Sequence, residues 1–93
     1  MSTEAFKSVW DALEDTPTEA ENMSLRSSLM IAITEAVSSW NVTQMEVAKR
    51  LQVTEPRLND LLRGRVGNFS LDVLVALAAR AGLAVHIEIT MAA

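Results

Sequence analysis

The chain has 93 residues, of which 49% are apolar, and this is enough for the core of one small domain. It contains no cysteine and a single histidine, His86, so it offers neither a disulfide framework nor the residues of a transition-metal site or a nucleophilic triad. We therefore expect a protein that is not an enzyme and that uses no metal and no cofactor. No signal peptide or membrane-spanning run is visible, and we expect a soluble cytoplasmic chain without membrane contact.

The net charge of −4 is unevenly distributed along the chain. Residues 1–42 carry seven acidic and two basic side chains, whereas residues 43–70 carry three acidic and five basic ones. Because the local field decides where a phosphate binds, the acidic total does not argue against a nucleic-acid partner. The basic excess is small, so any non-specific affinity for DNA should be weak and strongly salt-dependent.

Residues 1–15 form an N-terminal arm whose apolar residues recur at the spacing of one helical face. These residues are Phe6, Val9, Trp10 and Leu13. The arm is predicted to be a short amphipathic helix, and its apolar face either covers the core or docks on a partner protein.

A longer helix is predicted from Pro17 to about Trp40, because threonine, proline and glutamate stand in the order of a strong helix start. A break near Met23 and Ser24 is an alternative that the sequence leaves open. The inward face is predicted from apolar residues at helical spacing, namely Leu25, Leu29, Met30, Ala32, Ile33, Ala36 and Val37.

Two short helices separated by a tight turn are predicted at residues 44–51 and 55–63. Thr43 can cap the first helix and form a capping box with Glu46. A second threonine and a proline mark the start of the second helix, and a glycine marks its end. The small Ala48 is expected to let the two helices cross closely. The predicted buried set is Val47, Ala48, Leu51, Val53, Leu58, Leu61 and Leu62.

After a loop at residues 65–68, Ser70 can cap a further helix that ends at Gly82. Its predicted buried residues are Leu71, Val73, Leu74, Leu77 and Ala78. The chain is thus predicted to be a single domain, residues 1–93, with a helical region at residues 16–82.

Residues 83–90 alternate between apolar and polar side chains, which predicts a half-buried β-strand. The sequence contains no second strand pattern, so this strand needs a partner edge. Pairing with the same strand of a second copy is the simplest solution, and the alternatives are addition to another protein or packing as an extended tail. The dimerisation residues would be Leu83, Val85, Ile87 and Ile89.

The stretch from residue 43 to residue 65 resembles the DNA-binding core of the Cro/phage-repressor (XRE-like) helix-turn-helix family. The matching residues are Thr43, Gln44, Ala48, Leu51, Val53, Thr54, Leu58, Asn59, Leu61 and Gly64. Gln52 departs from the pattern, because the family usually has glycine at that left-handed turn position. The resemblance implies a mainly α, five-helix, lambda-repressor-like DNA-binding domain, here with an N-terminal helical arm and a C-terminal strand that pairs across a dimer.

The ending FSLDVLVALAARAGLAVHIEI is similar to that of the short HigA-type antitoxins. This resemblance implies a transcriptional autorepressor that binds a palindromic operator in double-stranded DNA as a homodimer, with a small RNase toxin as a further partner. The alternative function is a protein-interaction module that neutralises a toxin or another partner without significant DNA binding.

In a helix-turn-helix the second helix enters the major groove, which assigns its exposed residues to base edges. Arg57 is predicted to contact guanine, Asn59 adenine, Pro56 a thymine methyl group, and Glu55 or Asp60 cytosine. An ion pair with Arg57 or Arg63 is the alternative role for the Asp60 carboxylate. Phosphate contacts are predicted for Thr43, Gln44, Thr54, Arg63, Arg65 and Asn68, whereas Lys49 and Arg50 are placed on the solvated outer surface.

Overall fold

The computed structural model of the chain describes residues 17–86 and Met91. The predicted arm at residues 1–15 and positions 87–90 of the predicted strand lie outside the described residues. Within this part of the chain the architecture is mainly helical, as predicted. The elements are helix α1 (Pro17–Ser38), helix α2 (Gln44–Leu51), helix α3 (Glu55–Leu62), a 3-10 turn (Val66–Asn68) and helix α4 (Leu71–Arg80).

The resemblance implied a domain of five helices, and four α-helices lie within the described residues. Residues 83–86 adopt no regular conformation, so the predicted strand is not found in the part of it that the structure describes. The backbone N–H of Leu83 donates to the carbonyl of Ala78 at 2.9 Å, and its side chain packs half-buried against the core. None of the described helices is long and apolar enough to cross a membrane.

One apolar core holds the four helices together. Its members come from every helix and from the residue that follows the 3-10 turn. Ala48 is buried where α2 meets α3, as its small side chain predicted. The largest fully buried side chains are Ile33, Leu51, Leu58, Leu61, Phe69, Leu74 and Leu77.

The predicted inward face of α1 is correct except at its start. Met30, Ile33 and Val37 are buried as predicted, whereas Leu25 is 49% exposed. Four residues advance a helix by slightly more than one full turn, so a line drawn at every fourth position drifts away from the core. Arg26 continues the true inward line, and α1 runs without the break considered near Met23.

Three predicted core positions on α3 and α4 need smaller corrections. On α4 the buried line is Leu74, Leu77, Ala78 and Ala81, so Val73 stands about 100° off it and is 38% exposed. Leu62 and Leu71 are half-buried rather than buried.

The turn between α2 and α3 is left-handed, as the position of the family glycine predicted. Gln52 has φ 59° and ψ 43°, and its backbone N–H donates to the carbonyls of Ala48 and Lys49. The next backbone N–H, that of Val53, donates to Ala48 at 2.9 Å. From the last turn of α4, Arg80 Nη1 donates to the carbonyl of Leu51 at 3.2 Å, which adds a distant constraint on the same turn.

We expect Gln52→Gly to raise the free energy of unfolding by up to about 1 kcal/mol, because glycine adopts a positive φ without the penalty that a Cβ imposes. The Gln52 side chain is exposed, so its removal sacrifices no packing. Urea denaturation followed by circular dichroism measures the change. The matched control is Gln52→Ala, which keeps the Cβ and should not stabilise the fold; equal gains for both variants would contradict the explanation.

Candidate nucleic-acid interface

Helix α3 buries one side and exposes the other. Leu58 and Leu61 are each 1% exposed and fix the inward side. The opposite side, which we call the outer face of α3, consists of four exposed residues, Glu55, Pro56, Asn59 and Arg63. The outer face therefore presents a carboxylate, an apolar ring, an amide and a guanidinium on two turns of helix.

Two threonines begin the helices of the motif. The Oγ1 atoms of Thr43 and Thr54 accept from the backbone N–H groups of Glu46 and Arg57, both at 3.2 Å. Both caps are as predicted. The predicted capping box is not completed, because the Glu46 carboxylate accepts from Arg50 Nε at 3.2 Å instead of from the backbone N–H of Thr43. A capping hydroxyl that accepts still has its own proton to donate, so both threonines can also bind a phosphate oxygen.

Asp60 forms an ion pair, but with a partner that sequence reasoning did not name. Arg65 Nη1 donates to Asp60 Oδ1 at 3.1 Å, so the suggested pairing with Arg57 or Arg63 was wrong. The chain reverses at Gly64, whose φ is 73°, and this brings Arg65 back beside the last turn of α3. The two side chains are 26% and 52% exposed, and an ion pair this open contributes little to stability.

Arg57 does not project freely from α3. Its guanidinium carbon lies 4.1 Å from the centre of the Phe69 ring, and the side chain is half-buried. Phe69 itself is 1% exposed. The guanidinium thus covers the ring from the solvent side, next to the outer face of α3.

The loop that carries Phe69 is held from α1 by Arg26, a residue that sequence reasoning missed. Arg26 Nη1 donates to the carbonyls of Val66 and Phe69, both at 3.1 Å. The available signal was its position on the true inward line of α1, at helical spacing from Met30 and Ile33. A half-buried arginine on such a line needs acceptors, and the loop carbonyls supply them for Nη1.

The remaining residues predicted to contact DNA lie on either side of the outer face of α3. Gln44 is exposed at the first position of α2, and with Thr43 it lines a cleft whose other wall includes Leu58 and Leu62 of α3. Asn68 is exposed in the 3-10 turn.

Lys49 and Arg50 are exposed on α2, where they were expected. The Arg50 guanidinium lies 5.2 Å from the centre of the Trp40 ring. Within the described part of the chain, His, Asp and Glu form no group of three that could hold a metal ion.

A family model described as a helix-turn-helix domain matches residues 12–90. The match spans the four described helices, the turn at Gln52 and the loop that carries Phe69. No curated protein matches the chain. Domains of this kind place a helix in a groove of DNA, so the match suggests a DNA-binding regulator rather than a catalyst. The chain belongs to the helix-turn-helix domain family.

Proposed function

We propose that the chain is a sequence-specific transcriptional regulator that represses its own operon as a homodimer on a palindromic operator. The observation that carries this proposal is the exposed outer face of α3, fixed from behind by Leu58 and Leu61. The major groove of DNA is wide enough for an α-helix, and its base edges can bind the polar side chains of a helix whose other side is buried in the protein.

Base recognition would come from the outer face of α3. The amide of Asn59 can pair with adenine, Glu55 can accept from cytosine N4, and the ring of Pro56 can contact a thymine methyl group. The carboxylate of Glu55 also repels phosphates, so it weakens general affinity and raises the penalty for a wrong base.

Phosphate contacts would flank the outer face. The side chain of Gln44 and the free N–H groups at the start of α2 suit one phosphate. The hydroxyls of Thr43 and Thr54 suit others, and so do Arg63 and Asn68. Arg65 would donate to a phosphate while it keeps Asp60 as a neighbour, because a guanidinium carries five donors.

A homodimer would form through the strand at residues 83–90, with Leu83, Val85, Ile87 and Ile89 as its apolar residues. Val85 is 36% exposed and lines a groove with the exposed Leu25 of α1 and Val75 of α4, so the first residues of the proposed strand lie beside apolar surface. A dimer also matches the demand of a palindromic site, whose half-sites lie about 34 Å apart.

Within this function, the resemblance to the short XRE-like and HigA-type chains favours an antitoxin, with a small RNase toxin as partner. The excess of acidic side chains in residues 1–42 suits a basic partner. The competing function is a toxin-neutralising interaction module without significant DNA binding. It is favoured by the acidic net charge and by exposed apolar residues on α1, of which Ile31 is 60% exposed.

Combining Asn59→Ala with Arg63→Ala should weaken binding to the DNA upstream of the gene by at least about tenfold. The first substitution removes a base contact that contributes about 1–3 kcal/mol, and the second removes a phosphate contact. Fluorescence anisotropy at fixed salt measures the loss. Lys49→Ala is the matched control, since it removes one positive charge from an exposed position on α2.

The control should lose affinity about equally for specific and scrambled DNA. Unchanged affinity of the double variant, with a normal circular dichroism spectrum, would contradict both the base contact of Asn59 and the phosphate contact of Arg63. A wild-type chain that binds no upstream DNA at low salt would favour the interaction module.

Ending the chain at His86 should convert a dimer to a monomer in sedimentation equilibrium, because half of the proposed strand is removed while the described core is retained. The helical circular dichroism spectrum should not change. An unchanged dimer would place the interface on the helices, with the groove between α1 and α4 as the first region to examine.

A further inference from the structure

We infer that Phe69 and Arg26 are positioning residues for DNA recognition, which act by holding the Arg57 guanidinium in the orientation that reads a base. This inference rests on the proposed DNA-binding function and deepens it. It adds two residues outside the recognition helix, one of them on α1.

The first step is the stack itself. The Arg57 guanidinium lies 4.1 Å from the ring centre of Phe69, and cation–π contact uses its flat face. The five N–H donors of a guanidinium point outward in its plane, so stacking leaves them available. Within the described residues no acceptor is bound to the Arg57 side chain, and the donors remain open to a base edge.

The second step is the support of the ring. Phe69 follows the 3-10 turn, and its backbone N–H donates to the carbonyl of Val66 at 3.2 Å. Arg26 Nη1 bonds both carbonyls, those of Val66 and Phe69. One guanidinium from α1 therefore fixes the two ends of the segment that presents the ring.

The third step is the effect on binding. A free arginine side chain populates many rotamers, and ordering it on binding costs free energy. An arginine that is already stacked has less freedom to lose, so the stack should increase affinity and sharpen the choice of base. Arg26 of α1 holds the Phe69 segment, and the Phe69 ring holds Arg57. Through these two contacts α1 is connected with the recognition helix α3.

The test is a double-mutant cycle on DNA affinity. Phe69→Leu should weaken binding to the upstream DNA by about two- to fivefold in the wild-type background, the value expected for a lost cation–π contact. In an Arg57→Ala background the same substitution should have no further effect. Phe69→Tyr keeps the ring face and should retain most of the affinity.

Arg26→Lys tests the support. Lysine keeps the charge but lacks the planar fork, so affinity should fall toward that of Phe69→Leu, again only when Arg57 is present. Thermal unfolding of each variant separates this from a general loss of stability. In addition, the NMR signals of the Arg57 side chain should show a ring-current shift in the free protein that Phe69→Leu removes and Arg26→Lys reduces.

Equal losses from Phe69→Leu with and without Arg57 would overturn the positioning role, since they would report a structural contribution alone. Tighter DNA binding by Phe69→Leu would also overturn it, because the stack would then withhold Arg57 from DNA. A wild-type chain without any affinity for the upstream DNA would instead overturn the proposed function. This result differs from equal losses in the two backgrounds, which require a wild-type chain that binds.

Discussion

The burial of Leu58 and Leu61 sets the rotation of α3 about its own axis, and the other features of the interface depend on that rotation. Both leucines are 1% exposed and belong to the same core as Leu51 of α2. A helix turns about 100° per residue, so a slip by one position would bring Asn59 and Leu62 inward. The amide of Asn59 would then be buried without partners while Leu58 and Leu61 turned away from the core, and both changes cost free energy.

This rotation is possible because the preceding turn places α3 at the correct angle to α2. The backbone N–H groups of Gln52 and Val53 converge on the carbonyl of Ala48, and the small side chain of Ala48 is buried at the crossing. The left-handed φ of Gln52 has a steric cost in free energy. The free energy gained by burying the apolar side chains of the two helices is larger. The turn is therefore held by its surroundings more than by its own residue preference.

Much of this architecture could be predicted from the sequence because its signals are local. Caps such as Thr43 and Thr54 lie next to the helices they begin, and the predicted end of α3 differs from the observed one by a single residue. The misses concern contacts between distant parts of the chain. Nothing near Asp60 shows that Arg65 will return to it across Gly64, and the stack of Arg57 on Phe69 depends on the path of the loop between them.

The start of the inward line of α1 was mispredicted for a related reason. Leu25 is apolar and Arg26 is charged, so composition favours burying the wrong one. The choice is made by helical geometry and by the carbonyls of Val66 and Phe69, which only the folded loop places within reach. The strand at residues 83–90 is a different case, because it depends on a partner edge that no local pattern can supply.

Arginines from outside the two short helices determine how small a working unit of this protein can be. Arg26 binds the carbonyls of Val66 and Phe69, and Arg80 binds that of Leu51. An excised peptide that runs from the start of α2 to Phe69 would leave those oxygens to water and release both the turn and the loop. Transplanting the recognition surface to another scaffold therefore requires the sequence from Arg26 through Arg80, and the portable module is several times longer than the helix that would touch DNA.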